Sequence, residues 1–136
     1  LVRSRGLGDV YKRQHMYLDT LFPSSTHMVR YEPLTVNLLD MDIIIGGNTC
    51  VHSYNPDFSV RDKTKRFTIG VEVKNTLSAW DYNAEEAKAK ILAWKDVFGT
   101  ECVVLIMNPE PKFYKLDGPE LVELKVEDVI ADINGG

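Results

Sequence analysis

Residues 69–75 read Ile69-Gly70-Val71-Glu72-Val73-Lys74-Asn75, "IGVEVKN". Ile69, Val71 and Val73 alternate with Gly70, Glu72 and Lys74, the period of a strand with one apolar face. Extended to Phe67, it is the strongest strand in the chain. Working upstream, "RDKTKR" (61–66) holds no apolar residue and reads as a loop. Before it, residues 41–60 hold an apolar run, a Gly46-Gly47 turn and the alternation Cys50, His52, Tyr54, which predicts strand, turn, strand. The stretch 54–60 and the strand 67–75 therefore form a β-hairpin. Residues 27–39 predict one bent or edge strand broken at Pro33. Apolar residues 17, 18, 21 and 22 predict the last turns of a helix stopped by Pro23.

Downstream, 76–83 reads as irregular and 83–99 as the strongest helix. Asn83 suits the N-cap, Glu85 and Glu86 the first turn, and Gly99 the end. Ala87, Ile91, Trp94 and Phe98 give that helix an apolar stripe. "CVVLIMN" (102–108) is apolar throughout, a strand buried on both faces. Residues 112–118 predict a strand ending in an Asp-Gly turn, and 121–133 a strand followed by a short helix. A helix between 67–75 and 102–108 favours a parallel crossover, whereas the earlier strands are hairpin-linked. The fold class is α/β: a mixed sheet flanked by helices, in one domain.

The chain has 136 residues, net charge −4 and two cysteines, Cys50 and Cys102, in no metal or redox spacing. Two small buried hydrophobes in a reducing cytoplasm account for them. No apolar run is long enough to span a membrane, so no membrane partner is expected. Residues 1–14, "LVRSRGLGDVYKRQ", show no helical or strand period and contain "LGDVYKRQ", which resembles a translated sequencing adapter. This predicts a non-native tail at 1–14, a single domain at 15–136, and a first helix truncated before His15. Arg3, Arg5, Lys12 and Arg13 against Asp9 give the tail +3, leaving −7 on residues 15–136. So acidic a domain lacks the overall field of a strong nucleic-acid binder, and such binding requires a local basic patch.

Asp57 precedes Glu72 by fifteen residues. Glu72 and Lys74 share a strand face, and hairpin pairing brings Asp57 to the same end. Val71 and Val73 must face a core and the following helix must cover part of the sheet, which argues against idle surface charge at the strand's far end. An aspartate, a glutamate and a lysine at one spot suit metal-assisted phosphodiester hydrolysis. Mg²⁺ (with Mn²⁺ as substitute) takes oxygen ligands, here Asp57, Glu72 and the Val73 carbonyl. Lys74 would orient or deprotonate the attacking water, or stabilise transition-state charge. Arg61, Lys63, Lys65 and Arg66 form either a solvated hairpin tip or a clamp on DNA phosphates beside the site. Trp80 and Tyr82 either pack at the helix start or lie against a DNA strand. His15, His27 and His52 share no ligand spacing.

Pro56-Asp57 … Glu72-Val73-Lys74 resembles the motif of the PD-(D/E)XK nuclease superfamily. "YEPLTV" (31–36) before "YNPDFSV" (54–60), and the helix ending "AWKDVFG", are similar to small phage-type and transposon-end-cleaving endonucleases, a likeness covering roughly residues 15–108. The resemblance implies a restriction-endonuclease-like αβββαβ core, Mg²⁺ dependence and a DNA substrate, with a homodimer where both strands are cut. It also implies a basic or amide residue on the helix after the motif strand: Lys90 first, Lys88 second. A glutamate on the first helix falls within the adapter-like tract, and Glu32 lies on the wrong element to replace it. The leading expectation is an Mg²⁺-dependent DNA endonuclease of phage or mobile-element origin. The alternatives are an inactive DNA-binding or assembly module of the same fold, and an unrelated small α/β protein. Replacing residues 1–14 with a natural helix bearing that glutamate is expected to raise nicking of plasmid DNA; equal rates would sink the idea.

Overall fold

The computed structural model describes the backbone of residues 2–31, 36–37, 43–45, 49–51, 53–54 and 56–135, and the side chains of 12–31 and 56–135. Its centre is the antiparallel hairpin of β6 (Phe58–Asp62) and β7 (Ile69–Lys74), with Phe58 opposite Val71, Ser59 opposite Gly70 and Val60 opposite Ile69. β1 (His27–Tyr31) pairs antiparallel with β6 and forms the sheet edge. On the other side β8 (Cys102–Ile106) runs parallel to β7, followed by antiparallel β9 (Lys112–Asp117) and β10 (Glu120–Leu124). The result is a six-stranded mixed sheet in the order β1-β6-β7-β8-β9-β10. Gly118, at φ 59°, makes the turn between β9 and β10, a conformation a side chain would disfavour.

The segment between β1 and β6 does not widen this sheet. β3 (Ile43–Ile45) pairs with β4 (Thr49–Val51), and β2 (Val36–Asn37) with β5 (Ser53–Tyr54), as separate two-stranded ladders. The expected bent strand over 27–39 is thus an edge strand, β1, and a short strand in another ladder. Pro33, Glu32, the Gly46-Gly47 turn and His52 lie outside the described residues.

Helices cover both faces of the sheet. Phe58, Val60, Ile69, Val71, Val73, Val103, Leu105 and Phe113 form one core with Leu18 of α1 (Val2–Leu21), Phe22, and Val129 and Ile133 of α4 (Val126–Ile133). Cys102, Val104 and Ile106 form a second core with Trp80 of α2 (Leu77–Tyr82) and Ala87, Ile91, Ala93 and Trp94 of α3 (Ala84–Phe98). Gly70, Glu72 and Lys74 pair in register with Cys102, Val104 and Ile106, so they share the α3 face. α3 therefore covers the charged side of β7, and α1 with α4 supplies the core for Val71 and Val73.

Two elements depart from the sequence reading. α1 is continuous from Val2, through the tract without period. Once nucleated on the packed turn around Leu18 and Phe22, a helix propagates at small cost per residue, and no proline precedes Pro23 to stop it. Residues 77–82, read as irregular, are α2, whose N-terminus is capped by the Thr76 hydroxyl accepting from the Ala79 amide at 3.1 Å. α3 ends as expected at Gly99, left-handed at φ 68°.

Gly70 sets how closely α3 approaches the sheet. A Cβ there would lie 3.1 Å from Cys102 Sγ and 3.1 Å from Trp94 Cε2. Both neighbours are about 1% exposed. The Trp94 ring is also held by Nε1 donating to Thr100 Oγ1 at 3.3 Å, and that hydroxyl donates to the Thr68 carbonyl at 2.6 Å. Overpacking typically costs 1–3 kcal/mol, and losing a glycine's unfolded-state freedom returns part of that. Gly70→Ala is expected to destabilise the fold by about 1–2 kcal/mol in urea unfolding; a variant as stable as the parent would show that the Trp94 contact is not tight.

Candidate functional site

Continuing the β6–β7 register by one residue beyond Phe58↔Val71 sets Asp57 opposite Glu72, on the face of Lys74. The Asp57 carboxylate is fixed there: Oδ2 accepts a hydrogen bond from the Val73 amide at 2.8 Å. The side chain takes up a main-chain donor just past the end of the ladder. The N–H and C=O of a strand residue point to the same side, so the Val73 carbonyl is turned toward the strand that carries Asp57. The adjoining carbonyls of Lys74 and Asn75 point the other way and accept from the Met107 and Asn108 amides at 3.0 and 2.9 Å. The Asn108 side-chain amide also donates to Asn75 Oδ1, closing the end of the parallel pair.

Glu72 and Lys74 are not surface charges. Their side chains are 13% and 23% exposed, and Lys74 Nζ lies 3.7 Å from Glu72 Oε2. α3 roofs them, leaving a cleft of about 150 Å³ lined by Glu72, Lys74, Asn83, Glu86, Ala87 and Lys90. The cleft opens at the carboxyl ends of the parallel strands β7 and β8, where open α/β sheets commonly bind ligands.

Of the two helix lysines, Lys90 lines this cleft and Lys88 does not. Lys90 Nζ bonds Glu86 Oε1 at 2.8 Å, whereas Lys88 pairs with Glu85 at 3.6 Å. Glu86 and Asn83 are cleft residues that sequence reasoning assigned only to the helix start. Asn83 occupies the N-cap position without a side-chain capping bond, and Glu86 lies one helical turn before Lys90 on the same face. The Lys90 hydrogen bond and charge, with a smaller contribution from Lys74, hold the Glu86 carboxyl below its ordinary value against a modest desolvation cost. The cleft thus alternates acid and base: Glu72, Lys74, Glu86, Lys90.

The basic loop is not beside this cleft. β6 runs from the Asp57 end to the hairpin tip, so Lys63 lies about 20 Å from Asp57 at strand rise. Arg61 and Asp62 belong to the strand, and Arg61 Nη1 donates to the Lys65 carbonyl at 2.9 Å. Lys63 Nζ donates to the Ser24 carbonyl at 2.6 Å, tying the tip to the α1–β1 turn. These two hydrogen bonds help to hold the tip in shape. Trp80 is buried against α3, while Tyr82 is 87% exposed. His27 is buried, its ring bonded to Asn134 Oδ1 at 2.5 Å and Thr26 Oγ1 at 2.8 Å. The His15 ring lies 5.7 Å from that of Phe58, next to Asp57, so the earlier turns of α1 extend toward the site end of the sheet.

Among the described residues, no three His, Cys, Asp or Glu side chains gather as a metal cage. Asp57 and Glu72 provide two carboxylates, a donor set that suits an ion completed by waters and a phosphate rather than one held wholly by protein. In comparisons with known proteins, no family model, curated protein or solved structure matches this chain.

The Glu86 pair has a pH signature. A carboxyl held below its ordinary value of 4.5 adds stability that is present above that pH and fades as pH falls through the lowered value. Glu86 is 46% exposed, so solvent moderates the effect. In Lys90→Met the urea midpoint should fall less steeply below pH 4.5 than in the parent; parallel acid limbs would show that the pair does not form in solution.

Proposed function

We propose that the chain is a metal-dependent DNA endonuclease of restriction-endonuclease-like fold that hydrolyses phosphodiester bonds where Asp57 adjoins the cleft of Glu72 and Lys74. One observation carries the reading. Asp57 is pinned to the Val73 amide at 2.8 Å, opposite a Glu72 that shares a roofed cleft with Lys74 and Lys90. Sequestered charges of both signs at the end of a central sheet are costly unless paired or used. The elements of the main sheet also follow the αβββαβ order: α1, β1, β6, β7, the α2–α3 pair, β8.

Asp57, Glu72 and the Val73 carbonyl would hold Mg²⁺, with Mn²⁺ as a substitute; the ion supplies charge for a phosphate oxygen and an acidified water. Lys74, beside Glu72, orients the attacking water and faces the charge that develops on the phosphate. Lys90, held by Glu86, sets a second positive charge on the opposite wall, where it binds the entering phosphate. α3 shields these interactions from bulk water and so strengthens them. Lys65 and Arg66 at the hairpin tip contact the duplex at a distance, with Arg61 and Lys63 holding the tip in shape. A duplex cut on both strands requires two such sites, which a homodimer provides.

Plasmid nicking in Mg²⁺ tests the reading. Lys74→Met and Asp57→Asn are each expected to lower the rate by at least about 100-fold, on the order of 3 kcal/mol of barrier. Asp57→Asn keeps an acceptor for the Val73 amide, so its fold should hold. Asp57→Ala should additionally lose about 1–3 kcal/mol of stability. Calorimetric Mg²⁺ binding that survives Asp57→Ala, or nicking unchanged in both variants, would overturn the assignment.

A further inference from the structure

The α3 face of the sheet carries a second depression, away from the cleft and toward the β1 edge. Its volume is about 230 Å³, and Met28, Arg30, Ser59, Arg61, Thr68, Trp94 and Phe98 line it. At about 30 Å³ per water this holds roughly eight waters, the scale of one nucleotide's phosphate and sugar.

Register explains its composition. Arg30 stands opposite Ser59, and Met28 opposite Arg61. Side chains two apart share a face, so Arg30 and Arg61 are diagonal neighbours over one hollow. Among the described residues, no acidic side chain lines it. Arg30 is exposed and makes no hydrogen bond or ion pair among the described residues. Arg61 spends Nη1 on the Lys65 carbonyl, while Nη2 lies 3.9 Å from Met28 Sδ, a groove-lining atom. Among the described residues, two guanidinium groups with no carboxylate partner converge on one hollow of a chain whose net charge is −4, and that charge pattern fits an anion. The back wall is rigid: Trp94 is fixed through Thr100, and Phe98 packs on it at 4.3 Å between ring centroids, half-exposed toward the groove.

Asp57, Ser59 and Arg61 lie at alternate positions of one strand, so the groove is the continuation of the cleft along the same sheet face. Arg61 is about 14 Å from Asp57 at strand rise, a separation that one DNA strand can span. We propose that this groove binds a backbone phosphate of the DNA strand whose cleaved phosphodiester occupies the cleft. Arg30 and the free side of Arg61 take the phosphate, and Met28 and Phe98 lie against its sugar. The proposal rests on the nuclease reading for the identity of the strand.

The test separates the two. Binding of fluorescein-labelled duplex DNA is followed by anisotropy in EDTA, where no cleavage occurs, over a series of salt concentrations. Arg30→Gln is expected to weaken binding several-fold and to reduce the slope of log Kd against log salt by about 0.9, one phosphate contact. Phe98→Ala should weaken binding while leaving the slope intact. Circular dichroism melting of each variant checks the fold; Arg30 is exposed and has no partner among the described residues, so its melt should match the parent. Unchanged affinity and slope in Arg30→Gln, or no measurable DNA binding by the parent at low salt, overturns the groove. Inorganic phosphate binding that is lost in Arg30→Gln while DNA affinity stays constant marks a small-anion site and also overturns it. If the nuclease reading alone fails, Asp57→Asn and Lys74→Met nick like the parent, and the Arg30 effect on binding still reads out.

Discussion

The register of β6 against β7 is the constraint on which the rest depends. Phe58 opposite Val71 places every odd-numbered residue of β7 from Ile69 to Val73, with Phe58 and Val60, in the core under α1 and α4. It places Asp57, Ser59, Arg61, Gly70, Glu72 and Lys74 together on the α3 side. A slip of one residue would move the apolar set to the charged face, so it is heavily disfavoured. The Asp57 carboxylate reinforces the same register from the end of the ladder, because its bond to the Val73 amide forms only when residues 57 and 72 are opposed. The residues that make the candidate chemistry therefore also lock the strands that position it.

The second constraint is the fit of α3 over β7. Gly70 lets Trp94 rest against the sheet, and from that anchor the helix diverges in what it covers. Toward β8 it is sealed by Ala87, Ile91 and Trp94 on Cys102, Val104 and Ile106. Toward the carboxyl end of β7 it meets Glu72 and Lys74 with Glu86 and Lys90, so contact there is ionic and leaves a cleft. Toward β1 it contributes Trp94 and Phe98 to the wall of a second hollow. One helix at one height over a sheet thus produces both a packed core and two concavities.

Much of this was legible from residue patterns. Periodicity marks β7, α3 and β8 because each repeats over enough residues to leave one consistent interpretation, and hairpin pairing alone predicts that Asp57 meets Glu72 and Lys74. Periodicity does not say which face a helix will cover. The apolar alternation of Val71 and Val73 drew attention to one side of the sheet. The uniformly apolar Cys102–Ile106, which must be covered on both faces, carried the missing signal. Choosing Lys90 over Lys88 needed the helix phase relative to the sheet. The short α2 escaped because six residues give no period, and Thr76 three residues before Ala79 was its only mark. The placement of Arg61 and Lys63 turned on carbonyls of the loop and of Ser24, partners that no spacing encodes.

Net charge is a poor guide to such a molecule. The acidic total argued against nucleic acid, yet the charges are not spread evenly. On the α3 side of the sheet, Lys74 and Lys90 are matched by Glu72 and Glu86 inside the cleft. Farther along the same face Arg30 and Arg61 are not matched by any lining acid among the described residues. At physiological ionic strength a charge is felt over about 8 Å, so a ligand at this face responds to the local set rather than to the total. An acidic protein can present a positive track in this way: its excess carboxylates need only lie elsewhere, as Glu120, Glu127 and Asp128 do on β10 and α4.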